Sequence, residues 1–307
     1  MTTSPSPSPV PFRAPGFAER LESIEERSAV LRTAALNAPA DARVPGCPDW
    51  TARDLLRHLS EVQRFWAATV AAGPATHPPT EPAHADPDHP KNQDSADDTD
   101  QPDRPDSANG PHGSYGPDRT NRPDTPDGRP DLALLAEQSA RSTRLLLDAL
   151  RTAGPDAECW TWWAETGSPA TSGAVARHHL QEVVVLARDA QAAAGTPLPV
   201  PPDLALEAVD EFLHIGLGST DGWPHAPARV ALVSDEGPAW TLVLDATGAS
   251  AVRVGPGEGL EPGAVVAGPA GDLLLTLFRR VPWGARALRV SGDEELVRQL
   301  VVWQPFD

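Results

Sequence analysis

A chain of 307 residues is long enough for two domains of ordinary size. Although 40% of its residues are hydrophobic, no apolar run reaches the roughly 20 residues that a membrane-spanning helix needs. The formal net charge of -18 argues against a nucleic-acid partner, because such an acidic chain has little positive charge with which to neutralise phosphates. These numbers favour a protein that acts on small molecules and has neither a membrane nor a nucleic-acid partner.

The cysteines and the N-terminal residues indicate in which cellular compartment the protein is expected. Cys47 and Cys159 are the only two cysteines, which is too few for a disulfide framework, and they form no CxxC pair. The opening MTTSPSPSPVPF lacks the basic and apolar regions of a signal peptide. We therefore expect a cytoplasmic protein whose residues 1–15 form a disordered, Pro/Ser-rich tail.

Four amphipathic helices are predicted in the first two thirds of the chain, because apolar residues recur there at helical spacing. They are expected at residues 16–39, 50–73, 131–154 and about 171–195. The second helix opens with Thr51 as its N-cap and Asp54 three residues later, close to a capping box, and the fourth ends at Gly195. Matched apolar stripes on four helices predict a four-helix bundle over residues 16–195.

Residues 74–130 differ from the rest of the bundle in composition. They contain no Leu, Ile, Val, Phe, Trp or Met, so they cannot bury enough apolar surface to offset the entropy lost on ordering. We predict a disordered insertion between the second and third helices. It holds His77, His84, His89 and His112, for which a solvated linker is favoured over a weak metal-chelating tract.

The pattern changes after the proline-rich stretch 196–203. A helix is predicted over 204–217, and strand-like runs follow as ARVALVSDEG, AWTLVLDATG, SAVRVGPGEG and AVVAG. A short helix at 268–280, a strand in RALRVSG and a last helix capped by Ser291 and Glu294 complete the chain. Strands followed by helices predict a small α+β domain over residues 203–307, so the chain as a whole belongs to the α+β class.

His58 is the first candidate for chemistry. On a helical wheel it shares one face with five apolar residues, which are Leu55, Leu59, Val62, Phe65 and Trp66. The side chain is therefore expected to point into the bundle. Taken alone, such a residue is more often a core histidine with one satisfied hydrogen bond than a metal ligand.

The fourth helix carries the second candidate, Glu182. It lies on a stripe with His178, Leu186 and Asp189, at spacings of four, four and three residues. The surrounding valines indicate that this stripe is at least partly covered. Because a buried, unpaired carboxylate costs several kcal/mol, Glu182 needs a partner, which would be His58, an arginine or a cation.

A resemblance to a known family connects the candidates His58 and Glu182. VPGCPDWTARDLLRHLSEVQRFW (44–66) resembles the N-terminal signature of the mycothiol-dependent maleylpyruvate isomerase family, and VDEFL (209–213), VAGPAGDLLLTLFRR (266–280) and RVSGDEELV (289–297) are similar to its C-terminal domain. The resemblance implies a DinB-like metal-binding bundle followed by a sterol-carrier-like α+β domain. It covers nearly all of the chain except the tail and the insertion.

The resemblance also implies a divalent metal, most often zinc, on three side chains. Two of the three match His58 and Glu182, whereas the third, a histidine, falls on Leu186, which cannot bind a metal. His178 or His179 would take its place if the helix were rotated, or both histidines lie at the surface without a role. The metal is therefore expected either to bind more weakly or to be lost.

The activity that the resemblance implies uses mycothiol as a thiol cosubstrate. The metal holds its sulfur as thiolate, which adds to an activated double bond, and related members transfer the thiol instead. An arginine of the C-terminal domain is thought to bind the substrate carboxylate, and Arg279 and Arg280 are the candidates for this catalytic role. The alternative is a basic pair at a helix C-terminus, favoured by the helix dipole.

Two further features have ordinary explanations. Cys47 lies beside Pro48 with no base or cation evident nearby, so it is interpreted as a small buried hydrophobe and not as a nucleophile. Trp160, Trp162 and Trp163 either roof a ligand pocket between the domains or pack the loop before the fourth helix, and packing is favoured.

The leading hypothesis is a mycothiol-dependent, metal-assisted thiol transferase or isomerase that acts on a small electrophile. The main alternative is a non-catalytic relative whose degenerate metal site leaves it to bind a small molecule or a partner between the domains. A third is a structural or regulatory protein that uses the acidic insertion as a tether. The sequence does not define the oligomeric state.

Overall fold

The computed structural model describes residues 12–39, 42–79, 132–164, 167–255, 261–282 and 288–303. The predicted tail and insertion lie almost entirely outside these ranges. Residues 74–79, the described start of the insertion, contain no helix or strand. No helix in the described ranges combines the length and apolarity needed to cross a membrane.

The N-terminal half is the predicted four-helix bundle, and each helix lies within two residues of its expected bounds. The helices are α1 (Phe17–Asn37), α2 (Ala52–Ala72), α3 (Leu132–Ala153) and α4 (Ser172–Ala193). α1 packs mainly against α4, and α2 against α3. Fully buried residues from all four helices meet in one core, among them Leu31, Leu56, Leu146 and Val183.

A short hairpin that the sequence did not predict precedes α2. It consists of β1 (Arg43–Val44) and β2 (Cys47–Thr51), which pair antiparallel. β2 leads directly into α2, whose N-cap is Thr51 as expected: its hydroxyl accepts from the Asp54 N–H at 3.3 Å, and the Asp54 carboxylate accepts from the Thr51 N–H at 2.9 Å. The hairpin therefore fixes Cys47 and Trp50 beside the start of α2.

The first helix of the C-terminal half is shorter than predicted. α5 spans Pro202–Glu211 and begins two residues early because Pro202 suits the first helical turn. It continues as a π-helical turn (Phe212–Gly216) and a 3-10 turn (Leu217–Ser219), where a single helix to 217 was expected. π-turns are rare and are frequently found at functional sites.

A five-stranded sheet forms the C-terminal half. Its strands are β3 (Ala228–Ser234), β4 (Ala239–Asp245), β5 (Gly248–Val254), β6 (Ala264–Gly268) and β7 (Arg289–Gly292). They lie in the order β5-β4-β3-β6-β7, with β3 and β6 parallel and the other neighbours antiparallel. Val230 and Leu232 of β3 point into the core at alternate positions, as a half-buried strand requires. The predicted α+β class is confirmed.

Two helices complete this half. α6 (Ala270–Leu277) follows β6, and α7 (Glu294–Trp303) follows β7. The predicted cap of the last helix was wrong, because Ser291 lies within β7 and the Asp293 carboxylate accepts from the N–H groups of Glu295 and Leu296. A carboxylate at this position serves the helix equally well.

Candidate functional site

His58 and Glu182 meet inside the bundle. His58 Nε2 on α2 lies 3.1 Å from Glu182 Oε1 on α4, and the two residues are 124 positions apart in sequence. The His58 side chain is 17% exposed and that of Glu182 is 7% exposed. Trp50 of the hairpin stands edge-on to the imidazole, with ring centroids 5.0 Å apart. The pair is therefore sheltered by the bundle but open to solvent on the His58 side.

A chain of buried polar groups continues from Glu182 into the core. His179, which is fully buried, places Nδ1 3.4 Å from Glu182 Oε2 and Nε2 3.1 Å from Gln63 Nε2. Gln63 also donates to the Ser28 hydroxyl at 3.1 Å and accepts from the Thr143 hydroxyl at 2.9 Å. We call His58, Glu182, His179 and Gln63 the inner cluster.

The contacts of Gln63 define the protonation of His179. Since the Gln63 amide donates to His179 Nε2, that nitrogen is an acceptor and the ring proton lies on Nδ1. Nδ1–H then faces Glu182 Oε2. His58 is thereby hydrogen-bonded to one oxygen of Glu182, and His179 approaches the other oxygen at 3.4 Å without forming a hydrogen bond.

His178, adjacent to His179, is hydrogen-bonded to a different helix. Its Nδ1 lies 2.7 Å from Glu211 Oε1 of α5, and both side chains are buried. Burial disfavours the imidazolium, but the charge and hydrogen bond of Glu211, with a smaller contribution from Glu182, outweigh it and raise the pKa of His178. Both histidines are buried, so the alternative in which they lie at the surface without a role is wrong.

Further charges surround the His178–Glu211 pair where α4 meets α5. Glu207 Oε1 accepts from Arg20 Nη2 of α1 and from Arg177 Nε of α4, each at 2.9 Å. Arg177 also pairs with Asp210, whose carboxylate accepts from the Trp240 indole N–H at 2.7 Å. We call Arg20, Arg177, His178, Glu207, Asp210 and Glu211 the boundary cluster, because it ties the bundle to the C-terminal half.

The two arginines that were predicted to be catalytic are both bonded to protein groups. Arg280 Nε donates to Asp189 Oδ2 of α4 at 2.8 Å, and its stem packs so closely on Gly46 that an added Cβ would lie 2.6 Å from Cδ. Arg279 has a left-handed backbone (φ 54°) and donates to the Val301 carbonyl of α7 at 3.0 Å. Their role in binding a substrate carboxylate stays a prediction.

Cys159 and the tryptophans behave as packing residues, whereas Cys47 is only partly buried and, contrary to the sequence expectation, has the Arg280 cation nearby. Burial raises the pKa of the Cys47 thiol, with Arg280 opposing the shift and Asp189 adding to it, and burial raises the pKa of Cys159 to about 11. Trp162 and Trp163 pack against His178, with ring centroids at 5.6 and 4.9 Å. Trp160 packs against Trp66.

Two family profiles match this architecture. The mycothiol maleylpyruvate isomerase N-terminal domain matches residues 21–191, more than half of the chain, and the MDMPI C-terminal domain matches residues 203–299. The chain belongs to the mycothiol maleylpyruvate isomerase family. No individual curated protein matches it.

The donors present do not fit the three-ligand metal centre expected for this family. Leu186, one turn after Glu182 on the same stripe, is buried and apolar where the third ligand was expected. Within the ranges that the structure describes, no three His, Cys, Asp or Glu side chains are grouped to hold a metal ion. The metal-ligand roles of His58 and Glu182 remain predictions.

Gln63 is the site residue that the sequence interpretation missed, whereas His179 was considered only as a replacement metal ligand. A signal for Gln63 was present, because it follows Leu56 and Leu59 on the apolar stripe of α2 at helical spacing. A polar residue on such a stripe needs a buried partner. Which partner it finds depends on the helix that covers the stripe, so no pattern within α2 identifies His179.

Proposed function

We propose that this member of the family is a mycothiol-dependent transferase or isomerase that acts on a small electrophilic substrate. Both domains of the family are represented in the chain, which favours a shared type of chemistry. The observation that carries the proposal is the His58–Glu182 pair, a sheltered imidazole–carboxylate contact with one side open to solvent. The proposal derives no step through a metal, because the donors do not fit one.

The pair is suited to moving the proton of a thiol. Glu182 accepts from His58 Nε2–H, which leaves the Nδ1 lone pair as the proton acceptor. The S–H proton passes to His58 Nδ1, and the thiolate forms a bond to the β-carbon of an activated double bond while the C=C π electron pair moves onto the activating carbonyl. In isomerisation the resulting single bond rotates, the electron pair re-forms the double bond as the S–C bond breaks, and the proton returns to sulfur. In transfer the proton goes to the substrate carbon and the S–C bond remains.

Substrate binding in this proposal draws on the arginines predicted from the sequence. Arg280 already holds a carboxylate, that of Asp189, so it binds a substrate carboxylate only if the substrate replaces or shares that contact. Arg279 is anchored to the end of α7 and is less available. We therefore assign the substrate carboxylate to Arg280.

Turnover with defined thiols tests this proposal. Purified full-length protein is incubated with maleylpyruvate, the substrate after which the family is named, or with other activated alkenes, and with mycothiol, glutathione or no thiol. We expect product only with mycothiol and a loss of about 100-fold or more in His58→Asn. Cys47→Ser is the control and retains the rate, because the reacting thiol belongs to the cosubstrate.

A second candidate is a relative that binds the thiol or a small molecule without turnover. Leu186 at the expected third-ligand position favours it, since losing a ligand is one way to lose chemistry. Calorimetric titration with mycothiol separates the two: binding with no product for any electrophile supports the second candidate. Absence of both binding and turnover overturns both.

A further inference from the structure

We infer that the inner cluster works without a divalent metal, and that a hydrogen-bonded His58–Glu182 pair, positioned by His179, replaces the three-ligand centre. This inference goes beyond the proposed function, because it concerns what holds the pair together. It holds or fails whether or not the protein turns over a substrate.

The distance between the pair does not by itself decide the question. Two ligands on one tetrahedral zinc ion, each about 2.1 Å from the metal, lie about 3.4 Å apart. The 3.1 Å between His58 Nε2 and Glu182 Oε1 is close to this value and equally suits a direct hydrogen bond. The number of remaining donors decides instead.

Each nearby candidate for a third ligand is occupied or chemically unsuited. Leu186 has no donor atom. His178 lies one turn before Glu182, but its Nδ1 is hydrogen-bonded to Glu211 of α5. His179 lies next to Glu182, but its Nε2 is used by Gln63, and its Nδ1 carries the proton that faces Glu182 Oε2. A metal could bind Nδ1 only if the proton moved to Nε2, where the Gln63 amide already donates.

The same contacts explain how a buried carboxylate is tolerated without a cation. Glu182 is 6% exposed, so an unpaired charge would be costly. His58 contacts one carboxylate oxygen and His179 approaches the other, and Leu186, one turn later on the helix, is buried. The hydrogen bond from His58 and the nearby N–H of His179 stabilise the carboxylate where a metal would supply a full positive charge.

His179 acts in this arrangement as a positioning residue. It has no exposed surface and so touches neither solvent nor substrate. Its position is fixed by Gln63, which is itself fully buried and bonded to Ser28 and Thr143. Hydrogen bonds from Ser28 and Thr143 through Gln63 therefore fix His179, whose Nδ1 lies 3.4 Å from Glu182 Oε2 without a hydrogen bond between them.

Zinc content and zinc titration test this inference on the full chain. Protein purified without chelators is analysed for metal, then stripped with EDTA, dialysed and titrated with zinc by calorimetry. We expect zinc in the wild type far below one ion per chain, with no binding that depends on Glu182. Leu186→His is expected to bind about one zinc ion per chain, because it supplies the missing ligand.

Three variants make the result specific. Leu186→Phe is the matched control, since it introduces a ring of similar size without a donor, and it is expected to bind no zinc. Leu186→His combined with Glu182→Gln is expected to lose the new site. Zinc that binds equally to the wild type and to Glu182→Gln is bound at another site, such as the histidines of residues 74–130.

The opposite results overturn the inference. A wild type that binds one zinc ion per chain and loses it in Glu182→Gln would show that the metal centre persists. A folded Leu186→His that binds no zinc would show that Leu186 is not what closed the site. If Leu186→His does not fold, the comparison of wild type with Glu182→Gln still decides.

Discussion

The inner and boundary clusters are both built on α4, one helical turn apart, yet they are organised differently. In the boundary cluster, carboxylates are matched by arginines and by a histidine whose pKa is raised, and Glu207 alone accepts from Arg20 and Arg177. In the inner cluster, the single carboxylate of Glu182 is shared between two imidazoles, one of them partly exposed.

This difference indicates that the boundary cluster has a structural role and that the inner cluster is suited to chemistry. Compensated buried charges fix how two elements pack but leave no group free to react. A carboxylate that orients a partly exposed imidazole leaves one ring nitrogen available to a ligand. His178 and His179 show the point most directly, because these neighbours in sequence bind different helices, His178 through Glu211 of α5 and His179 through Gln63 of α2.

The largest effect on stability is expected from breaking the boundary cluster at Glu207. Glu207→Ala leaves Arg20 and Arg177 without their shared carboxylate in a buried setting. We expect a loss of about 3–5 kcal/mol in the free energy of unfolding, measured by urea denaturation. Glu137→Ala, at an exposed pair with Arg141, is the matched control and should leave the midpoint unchanged. If the two substitutions had equal effects, the structural role assigned to Glu207 would be wrong.

A smaller effect is expected in the inner cluster at Gln63. Gln63→Leu keeps the volume but leaves the polar groups of Ser28 and His179 without their donor. Thermal unfolding should show a loss of about 1–3 kcal/mol, because buried polar groups become unsatisfied. In the proposed enzyme the rate should fall as well, since Glu182 is no longer oriented. A Gln63→Leu variant as stable and as active as the wild type would contradict the role of Gln63 in positioning His179.

The smallest expected effect is a pH dependence of stability from His178. The raised pKa means that the folded protein holds this proton more tightly than the unfolded chain, whose imidazole titrates near 6.5. The stabilisation is therefore complete below that value and is lost as pH rises through the higher folded pKa. As pH rises from about 6 to about 9, the midpoint of unfolding should fall less in His178→Gln than in the wild type.

The exposed His225 supplies the control for this titration, since it lies outside both clusters. His225→Gln should reproduce the wild-type pH dependence. A His178→Gln profile that also follows the wild type would assign the titration to another group and would leave the boundary cluster without its protonated histidine.

The fold was largely predictable because its signals are local. Helical periodicity gave α1 to α4 within two residues, and Thr51 with Asp54 gave the start of α2. The hairpin before α2 was missed because β1 has two residues and Pro45 and Pro48 disguise the pattern. The π-turn after Glu211 was missed because helical periodicity does not distinguish it from a continuing helix.

The site was predictable only in part, for a geometric reason. His58 and Glu182 could be nominated from their faces and from the resemblance, and the structure places them in contact. The roles of His178 and His179 depend on which helices cover each side of α4. Glu211 and Gln63 are distant in sequence, so nothing within α4 indicated which histidine each would bind.

The ring nitrogens of the histidines test the central claim most directly. Nitrogen-15 NMR of the labelled full-length protein, with His58→Asn and His179→Asn for assignment, reports the protonated nitrogen in each ring. We predict Nδ1–H for His179 and Nε2–H for His58, both unchanged when zinc is added. A proton on His179 Nε2, or displacement of the His58 Nε2 proton by zinc, would contradict a metal-free His58–Glu182 pair positioned by His179, which Gln63 holds in place.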